Sequence, residues 1–335
     1  MKGILIDRFG RNINYLRVSI TDRCNLRCIY CNPEANIIYK NQQQILTYEE
    51  ILKIVKVCVD LGITKIRLTG GEPLVRKDVV CLVSLLSKIK GIEDLSLTTN
   101  GVFLEAYAKD LKKAGLKRIN ISLDTLDREK YKFITKFDGL HKVLNGINKS
   151  LEIGFYPIKI NVVVMKNINE DEIIEFAKLT LKEPLHIRFI EYMPIGCTKD
   201  EWEEKFVPYN KIKNYCQSLG VLKEIKIFDN NTAITSYQFE NAKGTISFIS
   251  PVSKPFCDRC SRLRLTSDGN LRSCLFSSQM VDLKKILRNN NVNNQVVYNA
   301  LKQSIIHAVK IKPKESQILC NNYIYKELTM CQIGG

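Results

Sequence analysis

The chain has 335 residues, 45% hydrophobic and 26% charged, which is enough for about two domains with a sizeable core. Lys plus Arg outnumbers Asp plus Glu by 51 to 35, a net charge of +16, so the composition excludes a disordered chain and points to anionic partners. No apolar run approaches the roughly 18 residues of a membrane span, and Asp7 and Arg8 come too early for a signal peptide, so a soluble cytoplasmic protein without a membrane partner is expected.

In chain order, β-rich runs alternate with helical patterns over the first 190 residues. The runs are Tyr15 to Ile20, Lys65 to Thr69, Asp94 to Thr98, Arg118 to Leu123, Ile158 to Val164 and His186 to Ile190. Between the first two, Thr47 and Glu50 form a capping-box pattern, an apolar 3.6-residue stripe runs to Leu61, and Gly62 marks the C-cap. Further helices are expected near Val79 to Ile89 and Phe103 to Ala114. Six such βα units predict parallel strands with right-handed crossovers.

Each strand is apolar on one face, as in Leu16/Val18 and Ile119/Ile121. The other face carries Arg17/Ser19, Arg67/Thr69, Ser96/Thr98, Asn120/Ser122, Lys159/Asn161 and His186/Arg188. A doubly wound sheet would be apolar on both faces, so the pattern favours a barrel with a wet, basic lumen that holds an anion. A sheet with one solvated face is the competing reading. The fold class is therefore α/β: a partial (βα)6 TIM-like barrel over residues 1–197, followed by a smaller C-terminal portion at 198–335. That portion reads as irregular, with Pro208 and Asn-rich turns at 229–231 and 289–294.

Twelve cysteines in a reducing compartment do not read as disulfides, and six of them fall into two tight groups. Cys24, Cys28 and Cys31 form C-x3-C-x2-C after the first strand, where barrel active sites lie. Three thiolates can hold three irons of a four-iron cluster and leave the fourth open to a small molecule. Cys257, Cys260 and Cys274 form a second such set. Structural zinc, including sites that pool both groups, is the alternative, although His141, His186 and His307 are remote in sequence. Cys58 and Cys81 lie in helical stripes as structural thiols, and Cys197, Cys216, Cys320 and Cys331 receive no role. The turn Gly70-Gly71-Glu72-Pro73 permits a close backbone approach, with Glu72 able to accept from an amine.

These motifs together resemble the radical S-adenosylmethionine enzymes. The runs Asp7 to Cys31 and Phe248 to Phe276, with the Gly334-Gly335 tail, are similar more narrowly to the GTP-cyclising family of molybdenum cofactor biosynthesis. The resemblance implies two [4Fe-4S] clusters, one on each cysteine group, with S-adenosylmethionine on the first and the guanine of GTP on the second. It implies a deoxyadenosyl radical that takes hydrogen from ribose carbon 3′, after which that carbon attacks guanine carbon 8. Tyr30, Gly71, Ser122 and Met193 would then contact S-adenosylmethionine. Arg17, Arg67, Thr98, Lys159, Arg188 and the segment Arg262, Leu263, Arg264 would contact GTP, and Arg17, Gly334 and Gly335 would act in catalysis.

Implied partners are a flavodoxin or ferredoxin as reductant, cyclic pyranopterin monophosphate synthase as the next enzyme, and a second copy of the chain in a homodimer. The compartment would be the cytoplasm, or the plastid stroma for a plastid gene. Asn32 and Ser261 depart from the family's usual Met and Asn. The rivals are a twin-cluster peptide maturase and a nucleic-acid-binding zinc protein. Against the latter, the basic residues are dispersed and not interleaved with aromatics.

Overall fold

A computed structural model describes residues 3–31, 39–225, 235–289, 293–316 and 330. The six expected strands form within one residue of the sequence boundaries: β1 (Tyr15–Ser19), β2 (Lys65–Thr69), β3 (Asp94–Thr99), β4 (Arg118–Ser122), β5 (Ile158–Val164) and β6 (Leu185–Glu191). They pair in parallel in sequence order. Helices α1 (Tyr48–Asp60), α2 (Val79–Ser87), α3 (Leu104–Lys113), α4 (Arg128–Thr135), α5 (Leu140–Glu152) and α6 (Ile173–Lys182) make the crossovers. The Thr47–Glu50 capping box opens α1 as expected. Gly62 follows its last turn at φ +107°, where an added Cβ would overlap the Gly3 carbonyl oxygen.

Periodicity fixes the layers. Leu16, Val18, Ile66, Leu68, Leu97, Ile119, Ile121, Ile187 and Phe189 lie on one sheet face and are fully buried or nearly so, packed with Ile51, Ile54, Val83, Leu104, Leu111 and Phe176 of the helices. Cys58 is buried in α1 as expected. Cys81 is exposed on α2, because the apolar stripe of that helix runs through Val79, Leu82, Val83 and Leu86 and leaves position 81 outside it.

The region after residue 198 is more regular than its sequence suggests. It adds α7 (Lys199–Lys205), α8 (Tyr209–Gln217), β7 (Lys223–Ile225), β8 (Ser236–Gln238), β9 (Thr245–Ile249), β10 (Arg262–Leu265), β11 (Asn270–Arg272), β12 (Met280–Asp282), α9 (Leu283–Leu287) and α10 (Asn294–Lys310). β9 pairs in parallel with β6, and β10 pairs in parallel with β1 at the opposite edge. Eight adjacent parallel strands result, flanked by antiparallel β8 and β7 on one side and β11 and β12 on the other. Strands β7, β8, β11 and β12 have three residues each, too few to carry a legible period of two, which is why the sequence reads as irregular there.

The strand order runs from β12 to β7 without closing. A single cavity of about 350 Å³ nevertheless touches residues of all eight parallel strands, from Arg264 and Arg17 through Arg67, Thr98, Ser122 and Asn161 to Arg188 and Ile249. Eight flat strands at about 4.8 Å spacing would spread these residues over some 30 Å, so the sheet must curl into an open barrel around the cavity. No helix among the described residues is long and apolar enough to cross a membrane.

Candidate active site

The loop leaving the C-terminal end of β1 places Cys24, Cys28 and Cys31 on the cavity wall. It is tied down by backbone. Arg27 N–H donates to Thr135 O (2.9 Å) and Ile29 N–H to Ile134 O (3.0 Å) at the end of α4, while Cys31 N–H closes a tight turn on Cys28 O (3.0 Å). Cys24 Sγ accepts from Leu26 N–H (3.4 Å) and from the Asn100 amide (3.8 Å) just past β3. Burial first, then the neighbouring Cys31, Asp124 and Cys24, pushes the Cys28 thiol well above its usual range. Such a crowded set of thiols fits a ligand that draws off their negative charge as thiolates.

Gly71 serves this loop directly. Its N–H donates to Thr21 O (2.7 Å), and Glu72 N–H donates to Arg23 O (2.8 Å). A Cβ at position 71 would overlap the Arg23 carbonyl oxygen, a backbone atom that cannot step aside cheaply. Gly71→Ala should therefore cost about 1–3 kcal/mol of stability and displace the cysteine loop. A lowered melting temperature together with loss of the S-adenosylmethionine cleavage that the resemblance implies is the expected result, and an unchanged variant would remove this role. Glu72, expected as an acceptor for an amine, already accepts from Leu74 N–H (3.0 Å), Thr99 Oγ1 (2.7 Å) and Asn100 N–H (2.6 Å). Burial outweighs these bonds and raises its carboxyl to about 7.

Tyr30, Gly71, Ser122 and Met193 all line the cavity. Tyr30 Oη donates to Asp124 Oδ2 (2.6 Å), whose other oxygen accepts from Val163 N–H (2.8 Å) on β5. Burial raises the Asp124 carboxyl to about 6. Asp124 and Asn100 escaped the sequence reading because each meets its partner more than 60 positions away. Their place just beyond the C-terminal ends of β4 and β3 was the available signal.

Cations occupy the floor. Arg264, Arg17 and Arg67 are direct cross-strand neighbours on β10, β1 and β2, and all three line the cavity with Arg262 and Arg188. Like charges opposite one another on adjacent strands destabilise a sheet unless an anion lies between them. Burial, then Arg264, drives the Arg17 guanidinium well below its ordinary range, and burial with Arg262 brings Arg264 down to about 10. Tyr15, Arg17 and Thr98 line the same cavity, and among the described residues Tyr15 Oη, Arg17 Nε and Thr98 Oγ1 are buried without a hydrogen-bond partner. Buried orphan donors beside stacked cations are the counterpart of a polar, anionic ligand.

Two expected contacts sit elsewhere. Lys159 lies on the lumen face of β5 but is buried two residues nearer the strand's N-terminal end than the cavity-lining Asn161. The Leu263 side chain does not face the lumen. It pairs with Leu16 on the apolar face and is fully buried, because alternation turns it away from its neighbours Arg262 and Arg264.

Cys257, Cys260 and Cys274 line the same cavity, presented by the 257–260 turn and the end of β11. Cys257 Sγ accepts from Ser316 N–H (3.3 Å). Buried Arg11, paired with Asp7 (2.6 Å), donates to the carbonyls of Cys257 (2.7 Å), Pro313 (2.7 Å) and Lys314 (3.1 Å). Burial opposes the Cys260 thiolate, yet Lys312, Arg262 and Arg264 prevail and bring the thiol down to about 7. Among the described residues no three His, Cys, Asp or Glu side chains are placed to share a single metal ion. Thiolates that each bind a different iron of one cluster do not need to converge on a point. Gly334 and Gly335 lie outside the described residues, as do Asn32, Cys320 and Cys331. Met330 lines the cavity and donates its N–H to Cys31 O (3.3 Å).

An open parallel βα barrel with three grouped thiols on its C-terminal rim, facing a polar lumen, defines a radical S-adenosylmethionine protein. Residues 18–180 match the Radical SAM superfamily, and residues 185–318 match Molybdenum Cofactor Synthesis C. The chain is 48% identical to the GTP 3′,8-cyclase of Thermodesulfovibrio yellowstonii over 92% of its length and 94% of that protein's. It is 44% identical to that of Syntrophomonas wolfei over 99% and 100%, and 45% identical to that of Moorella thermoacetica over 98% and 99%. The chain belongs to the GTP 3′,8-cyclase family. Among solved structures, Streptococcus suis SuiB bound to S-adenosylmethionine shares the fold at TM-score 0.59 and 15% identity, covering 88% of this chain and 69% of that one. SuiB bound to precursor peptide SuiA does so at 0.61 and 15%, covering 92% and 67%.

Proposed function

We propose that the chain cyclises GTP to (8S)-3′,8-cyclo-7,8-dihydroguanosine 5′-triphosphate, the first step of molybdenum cofactor biosynthesis. The observation that carries this reading is the placement of Arg264, Arg17 and Arg67 side by side in the cavity that also holds both cysteine groups. A triphosphate needs several fixed cations, and guanidinium forks match phosphate oxygens. A peptide substrate gives no reason for such a row, which disfavours the maturase reading.

Cys24, Cys28 and Cys31 would hold the first [4Fe-4S] cluster. With S-adenosylmethionine it supplies one-electron cleavage and a hydrogen-abstracting radical. Tyr30, Gly71, Ser122 and Met193 would seat S-adenosylmethionine, with Tyr30 fixed by Asp124. Arg17, Arg67, Arg188, Arg262 and Arg264 would hold the phosphates, and Thr98 and Tyr15 have donors to spare for the ribose or the phosphates. Lys159 would act from beneath, and Leu263 through its backbone alone. Cys257, Cys260 and Cys274 would hold a second cluster that orients the guanine. Ile190, Val163, Ile195, Phe256 and Phe276 give the cavity apolar walls that keep water from reactive species.

The Gly-Gly tail would enter the cavity, a reading supported by the place of Met330 on the cavity wall. The basic surface suits an acidic flavodoxin or ferredoxin as electron donor. The product would pass to a cyclic pyranopterin monophosphate synthase, and the chain would work as a homodimer. The test is anaerobic reconstitution with iron and sulfide, followed by incubation with S-adenosylmethionine, dithionite and GTP. Deoxyadenosine release that requires GTP, with formation of the cyclised nucleotide, is expected. Release that GTP does not affect would overturn the reading.

A further inference from the structure

Lys312, two residues beyond α10, is 2% exposed. Its Nζ donates to the carbonyl oxygens of Arg262 (2.9 Å) and Ser273. Arg262 lies two positions after Cys260, and Ser273 immediately precedes Cys274, so the ammonium is wedged between the two backbone segments that present these thiols. The chain on its far side is locked in turn, because Arg11 donates to the carbonyls of Pro313 and Lys314.

Among the described residues Lys312 forms no ion pair. The nearby acid Asp7 is already engaged by Arg11. Other charges around the second cysteine group, Arg262 and Arg264, are of the same sign. Two carbonyl bonds occupy two of the ammonium's three donors and do not balance its charge, and a buried cation is tolerated only where an anion is close. Among the described residues Asp258 of the 257–260 turn is exposed and faces Arg259 (3.5 Å), which leaves the three thiols as the buried groups able to carry the balancing charge. A positive charge fixed beside a cluster favours its more negative, reduced state, since cluster potentials depend on the charge around them.

We propose that Lys312 is a positioning residue and counter-charge for the iron–sulfur cluster on Cys257, Cys260 and Cys274, holding their two segments together and raising the cluster's reduction potential. This rests on the second-cluster reading above. A strap of purely structural kind would need the two hydrogen bonds and not the charge, and that difference can be measured.

The test uses the full chain with Cys24, Cys28 and Cys31 replaced by alanine, so that only the second group can hold iron. Lys312→Arg, Lys312→Gln and Lys312→Met are compared with this parent for iron content, the electron paramagnetic resonance signal of the reduced cluster, and reduction potential. Arg keeps the charge, Gln keeps a donor without it, and Met keeps only the bulk. Lys312→Arg should stay within threefold of the parent in electron affinity. Gln and Met should each lose at least tenfold, about 59 mV toward negative potential for one electron, or lose the cluster altogether. Gln carries the comparison if circular dichroism finds the Met variant unfolded. A parent-like potential in Gln or Met, or equal losses in Arg and Met, would make Lys312 a strap alone and overturn the proposal. A parent that binds no iron at all would instead overturn the second-cluster reading beneath it.

Discussion

Replacing Cys24, Cys28 and Cys31 together by alanine is expected to abolish S-adenosylmethionine cleavage, whereas replacing Cys257, Cys260 and Cys274 should leave cleavage measurable and abolish GTP cyclisation. The two groups line one cavity but are carried by separate loops. The first is carried by the loop after β1, pinned to α4 and to the Gly70-Gly71 turn. The second is carried by the 257–260 turn and the end of β11, pinned by Arg11, Ser316 and Lys312. Because no pinning contact is shared, loss of one group should not unfold the other. Deoxyadenosine and cyclised nucleotide, quantified separately with the iron content of each variant, distinguish the outcomes. Loss of a single shared metal in both variants would defeat the two-site arrangement.

Arg17→Ala is expected to lower GTP turnover roughly 10- to 150-fold with iron content intact, since a charge-assisted hydrogen bond contributes about 1.5–3 kcal/mol. Arg17 stands between Arg264 and Arg67 in register, and its Nε has no partner among the described residues. Its removal relieves repulsion and abandons no Nε hydrogen bond to them. The substrate-free variant should therefore melt at or above the wild-type temperature. A half-buried charged residue kept for the fold would destabilise it on deletion, so falling activity at constant or rising stability marks a group retained for its ligand. The loss should shrink when guanosine replaces GTP. A variant with wild-type kinetics, or one that loses stability in proportion to activity, would assign Arg17 to the fold instead.

What the sequence determined by itself is what local rules determine. Alternation of side chains along a strand separated Leu16 and Val18 from Arg17 and Ser19, and repetition of that split over six strands predicted an apolar outer face and a basic lumen before any contact was known. The Thr47–Glu50 box and Gly62 bounded α1 because a cap is satisfied within four residues. Cysteine spacing singled out the two groups of three for the same reason.

Tertiary structure decided the rest. The addition of β9 and β10 to opposite edges of the sheet depends on partners, β6 and β1, that lie far away in sequence. The cross-strand row of Arg264, Arg17 and Arg67 joins residues from both ends of the chain, and so do Arg11 with Cys257 and Lys312 with Arg262. The side chain of Leu263 turns into the core beside Leu16, because alternation along β10 separates it from Arg262 and Arg264. Spacing can say that three thiols are close to one another. Only the folded sheet decides which charges are buried beside them, because the desolvation and Coulomb terms that make a buried cation tolerable depend on distance in space and not on separation along the chain.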